Sequence, residues 1–148
     1  MVAWAYMIAA VGVGGLVSVQ PALNAMLARA IGNPFGAAAI SILVALISAL
    51  VLLVFTGRGT ISAATLSNVP WWVYLAGVIG AVFVASGPVI APVTGALLFF
   101  VCIVAGQLLG AVIADHFGAF DLEVRTVSPL RLAGLLLVLA GALAVYRG

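Results

Sequence analysis

The chain has 148 residues, 67% of them hydrophobic and 5% charged, whereas a soluble domain carries about a quarter charged residues. It cannot cover a surface facing water, so the sequence describes an integral membrane protein. Five arginines against three acids, with no lysine, are too sparse a basic set for nucleic-acid binding, and a single cysteine, Cys102, excludes an intrachain disulfide or a cysteine metal site.

The opening MVAWAYMIAAVGVGG lacks a basic n-region and runs past the apolar length of a secretory signal, so it reads as a first span. About 20 apolar residues cross a bilayer as a helix. Five segments reach that length: Val2–Ala28, Gly36–Phe55, Trp71–Ile90, Val93–Ala114 and Pro129–Tyr146. None alternates as a membrane β-strand does. The expected fold is an all-α membrane protein, one domain over residues 1–148 with five transmembrane helices.

The first span carries Gln20 and Asn24, four apart and therefore on one helix face. Between them Pro21 has no N–H for the carbonyl of Val17, which lies near the angular position of Asn24. This polar cluster has two readings. It is a satisfied helix–helix contact beside a tolerated proline kink, or it is the polar wall of a substrate pathway. The turn IGNPF follows, with Asn33 predicted as N-cap and Pro34 as the first helical residue.

In the second span Ala38, Ser41, Ala45 and Ser48 form a stripe of small residues suited to close helix packing. The next connection, TGRGTISAATLSNVP, ends before Trp71, Trp72 and Tyr74, an aromatic belt for the water interface. Gly77, Gly80 and Gly87 fall roughly on one side of the third span. The stretch GPVIAPVTG, holding Pro88 and Pro92, is expected to form the turn into the fourth span. Pro21 and Pro88 mark expected bends.

The fourth span contains GQLLG, with Gln107 between Gly106 and Gly110. The glycines suit packing within the chain or onto a partner; Gln107 is a second candidate for the pathway. The loop DHFGAFDLEVRTVSP holds every acidic residue, Asp115, Asp121 and Glu123. Asp115 and the sole histidine, His116, could handle protons where the span leaves the membrane. Consecutive helical residues point about 100° apart, however, so a helix-end capping pair is the other reading. No serine, threonine or cysteine has a base in register and no metal ligands have useful spacing. Neither an enzyme nor a cofactor is expected.

With five spans the termini face opposite sides. The N-terminal side receives Arg58, Arg125 and Arg131, and the other Arg29 and Arg147. Orientation follows the arginine and lysine bias, which here is one charge. A chain so balanced can insert both ways, and two opposed copies would form a ten-helix antiparallel dimer with inverted symmetry.

Three blocks, QPALNAMLARAIGNPFGAA, PWWVYLAGVIGA and VAGQLLGAVIADHFG, in this order and spacing resemble the YdcZ-type family of small five-helix membrane proteins. The resemblance runs from about Gly12 to the final span. It implies a place in the drug/metabolite transporter superfamily, a bacterial inner (cytoplasmic) membrane location, and a role as half of a ten-helix inverted-repeat transporter. The family is known as single chains, paired chains and fused duplicates. The more distant small multidrug resistance proteins exchange protons for cations through a glutamate in the first helix. No span interior here holds a carboxylate, and Gln20 is the nearest polar group in the first helix, a departure from that exchange.

The expected function is secondary transport of a small neutral, zwitterionic or amphipathic solute by an antiparallel dimer with alternating access. Its partners are the lipid bilayer and a second copy or a related five-helix chain. Gln20, Asn24 and Gln107 would supply hydrogen bonds, and Trp71 and Trp72 a belt or lid. A narrow antiparallel dimeric channel and a non-transporting membrane assembly subunit are the alternatives.

Overall fold

A computed structural model describes residues 2–57, 59 and 61–147. Arg58, counted above in the charge balance, lies outside the described residues. Among the described residues five helices are long and apolar enough to cross a membrane: α1 (Val2–Ile31), α2 (Pro34–Thr56), α4 (Leu75–Thr94), α5 (Ala96–Phe117) and α6 (Pro129–Arg147). A short α3 (Ala63–Ser67) precedes α4, and the described residues contain no strand. The chain divides into two compact units, Met1–Val93 and Thr94–Gly148.

In the first unit α1 runs for 30 residues, about 45 Å at 1.5 Å per residue. That exceeds a hydrocarbon core of about 30 Å, so the helix must tilt or project beyond it. It stops at Gly32, whose φ of +70° is the left-handed C-terminal conformation that glycine adopts without a Cβ penalty. Asn33 then caps α2, its Oδ1 accepting from the amides of Phe35 and Gly36 at 3.0 Å each, with Pro34 at the first helical position. This two-residue reversal folds α2 back on α1. The contact is made by small side chains: Ala25 on α1 and Ala37 and Ala38 on α2 are buried. Small residues let membrane helices approach where lipid gives no hydrophobic drive.

The connection to α4 is ordered by polar groups. Ser62 and Thr65 form a capping box around α3, satisfying two amides that the helix start would leave open. The Tyr74 hydroxyl donates to the Leu66 carbonyl at 2.9 Å, tying α3 to the 3₁₀ turn Trp71–Tyr74 that leads into α4.

Here the structure corrects the expected spans. Most of the GPVIAPVTG stretch is helix rather than turn: α4 continues through Pro88 and Pro92 to Thr94, α5 begins at Ala96, and only the last residue of the stretch, Gly95, lies between them. The third span therefore ends beyond Ile90, and the fourth starts after Val93. Each proline removes one N–H, from the carbonyls of Val84 and Pro88. Membrane helices tolerate such gaps where neighbours cover them. The break between the two helices falls at Gly95, whose φ of +79° and ψ of 154° are a backbone that ordinary residues avoid.

In the second unit α5 and α6 pack as an antiparallel pair, and Phe99, Ala105 and Leu135 are buried. The loop between them folds onto the end of α5, where the Arg125 amide donates to the Asp115 carbonyl at 2.8 Å. Phe120 and Asp121 hold φ near +60°, an uncommon conformation for residues with a side chain.

Candidate functional site

The most enclosed polar position lies where α4 crosses α1. Pro21, Asn24 and Ala25 on α1, and Gly87, Pro88 and Ala91 on α4, are all buried. Gly87 sets the spacing. A Cβ built there would stand 3.1 Å from Pro21 Cβ, 3.3 Å from its Cα and 3.4 Å from its Cγ, so only glycine lets the backbones meet this closely without a shift. Gln20, Pro21, Asn24, Phe83, Val84 and Gly87 line a narrow recess of about 160 Å³, none of it wide enough for a water-sized sphere.

Two structural facts give this seam its chemistry. Asn24 is the buried polar residue of the described chain, 6% exposed, and none of the described residues hydrogen-bonds its carboxamide. Gln20 is half-buried beside it. The prolines also fall on the two sides of the crossing, so α1 loses a donor at the Val17 carbonyl and α4 at the Val84 carbonyl. The seam thus brings together two carboxamides and the backbone of two proline-interrupted turns. A carboxamide offers two N–H donors and one oxygen acceptor, so the set can bind neutral polar groups of either kind without a net charge. Helical spacing alone groups Gln20, Pro21 and Asn24; their pairing with Gly87 and Val84 comes from the crossing of the two helices. Gly87 differed in no visible way from Gly77 and Gly80, which have nothing within 4 Å of a built Cβ.

The other candidates are spread apart. Gln107 is exposed on α5, and Gly106 and Gly110 around it face open space. Trp71 is 75% and Trp72 46% exposed in the 3₁₀ turn that precedes α4, as ring systems of an interfacial belt would be. On α2, Ala38 is buried and Ser41 half-buried, but Ser48 is exposed, its hydroxyl donating to its own helix at the Val44 carbonyl (2.8 Å).

With five apolar helices and this seam in place, a comparison with protein families gives a match over residues 5–144 to the family described as "Putative inner membrane exporter, YdcZ". The chain belongs to the YdcZ family. No curated protein and no solved structure matches it. Membership makes the chain a multi-pass inner-membrane protein, and the family's description points to transport rather than catalysis.

In this YdcZ-family chain Asp115 and His116 engage different partners. Asp115 Oδ2 lies 3.7 Å from Arg131 Nη1, while His116 Nδ1 accepts weakly from the Val127 amide at 3.4 Å and its ring meets Phe117 edge-on. Arg125 pairs with Glu123 at 3.0 Å in the loop. That hydrogen bond first, then the charges of Glu123 and Asp115, hold the Arg125 guanidinium above its usual pKa. Among the described residues no three His, Cys, Asp or Glu side chains are grouped to hold a metal.

Proposed function

We propose that this YdcZ-family protein is a secondary transporter that moves a small neutral, zwitterionic or amphipathic solute across the inner membrane by alternating access as an antiparallel dimer. The observation that carries the reading is Asn24, buried at the crossing of α1 and α4 with no described residue hydrogen-bonded to its carboxamide, whose polar atoms still reach the surface of the chain. An unpaired polar group in the membrane interior costs several kcal/mol, so its presence calls for a partner that is there only part of the time. A solute passing between α1 and α4 is such a partner. The closed seam is then the occluding layer, opened when the two helices part at Pro21 and Gly87.

Gln20 and Gln107 supply further hydrogen bonds in this scheme, and Trp71 and Trp72 a belt or lid at the mouth. Gln107, exposed on α5, also needs a polar partner from beyond its own chain, as a second copy would provide. The near balance of arginines supports the opposed orientation of the two copies, and the family's description as an exporter supports outward movement. Purified protein in liposomes tests the reading. Saturable, solute-dependent flux with counterflow is expected, lost in Asn24→Leu. Flux without counterflow would mean a channel, and no flux with any solute class would overturn the transport reading.

A further inference from the structure

The α5–α6 pair carries a second feature that the transport reading does not use. Its two facing stripes leave a long apolar groove in two sections of about 390 Å³ each, which meet at Val138. One end is closed by the Asp115–Arg131 pair, and the other reaches Val145. From Arg131 to Val145 the groove follows α6 for about 21 Å at 1.5 Å per residue. Gly134 and Gly141 lie on its floor, and a Cβ at either would meet nothing within 4 Å. Glycine inside a helix costs about 1 kcal/mol relative to alanine, and here its effect is to keep the groove open.

The polar end is built but unsaturated. Asp115 and Arg131 stand 3.7 Å apart, beyond direct hydrogen-bonding distance. Arg131 Nη1 donates to the Arg125 carbonyl at 3.2 Å, which leaves most of its five N–H donors unused. The Asp115 carboxylate retains its acceptor capacity. An anion site and a cation site thus sit side by side at the end of a chain-length apolar groove.

We propose that this groove binds one bilayer phospholipid with a zwitterionic, primary-ammonium headgroup, phosphatidylethanolamine in type. Its phosphodiester accepts from Arg131, its ammonium donates to Asp115, and one acyl chain lies along the groove over Gly134 and Gly141. Charge complementarity selects this occupant. An anionic headgroup would satisfy Arg131 and meet Asp115 as a like charge, and a choline headgroup has no N–H to give. An opposed second copy would bring the helix ends that carry Arg29 and Arg147 to this end, and further cations leave Arg131 without an acceptor.

Native mass spectrometry of the full-length protein, with phosphatidylethanolamine, phosphatidylcholine and phosphatidylglycerol of the same acyl chains, tests the proposal. The ethanolamine lipid should be retained one to one, with about a tenfold preference over the other two, the factor given by one charge-assisted hydrogen bond. Asp115→Asn should erase its advantage over choline, and Arg131→Gln should weaken all three. Gly134→Leu and Gly141→Leu should displace every phospholipid by filling the groove. Because a variant can fail to fold, wild-type protein is also photolabelled with an ethanolamine lipid carrying a reactive group on its acyl chain. Adducts should concentrate on α5 and α6 near Val104 and Val138. Equal retention of the three lipids, adducts spread over all five helices, or protein–protein adducts through this groove would each overturn it. No outcome depends on transport, so the two readings fail separately.

Discussion

The close approach of α4 to α1 at Gly87 gives a sharp test. Replacing Gly87 by alanine adds one methyl at 3.1–3.4 Å from three atoms of Pro21, where ordinary carbon contacts lie at about 3.5–4.0 Å. The neighbour is a ring fused to the backbone, with no far end that can swing away, so relief requires α1 and α4 to separate by a few tenths of an ångström. Overpacking of this kind costs about 1–3 kcal/mol, while alanine gains up to about 1 kcal/mol over glycine in helix propensity. Gly77→Ala and Gly80→Ala collect the gain alone, since their added methyls meet nothing within 4 Å. In reversible unfolding from mixed micelles, Gly87→Ala should therefore fall about 1–3 kcal/mol below these two controls. Adding Pro21→Ala should not restore it, because alanine keeps the Cα and Cβ that make the two shortest contacts. A Gly87→Ala protein as stable as Gly80→Ala would refute the close crossing, and with it the seam as an occluding layer.

Gln20→Leu and Asn24→Leu should insert and fold normally, because a membrane hydrogen bond is worth about 0.6–2 kcal/mol, yet lose flux in liposomes; normal flux in both would make the pair simple packing. Asn33→Ala should cost about 1 kcal/mol in the same unfolding assay by stripping two amides of α2 of their acceptor, and Asn33→Asp should recover most of it. Two lysines added after Tyr146 should hold that terminus in the cytoplasm, and two near Met1 the other, as read by C-terminal reporters active on one side only. Each fixed form should be inactive alone and the mixture active; a wild type that reports from one side only would exclude the antiparallel homodimer.

The five spans were legible because each is a run of apolar residues as long as the bilayer is thick, and because Asn33 and Pro34 carry turn chemistry that acts locally. The α4–α5 boundary was not. Prolines stop helices in water, where the freed carbonyl can be hydrated, but α4 keeps Pro88 buried and carries on to Gly95. The decisive residue there was the glycine that can take a positive φ. Asn24 and Gln20 stood out in sequence because amides are rare in such a helix. Their counterpart did not, since whether Gly87 meets Pro21 or open space depends on how two helices separated by sixty-odd residues cross. The same holds for Arg131, which reads as an ordinary flanking charge until α6 folds back and sets it opposite Asp115.

The paired gaps in the helical ladders of α1 and α4 also give the protein an intrinsic optical probe. A carbonyl released from its amide donor stretches at higher frequency than its hydrogen-bonded neighbours, and carbon-13, oxygen-18 labelling at Val17 or Val84 isolates that single vibration from the rest of the amide band. Both residues are half-buried, and with no amide donor bound each label would absorb as an isolated oscillator. Once wetted or bound by a passing donor it would shift downward and broaden. Opening of the crossing could then be timed in an unmodified chain by infrared light alone, with no fluorophore or spin label placed among residues that have no room for one.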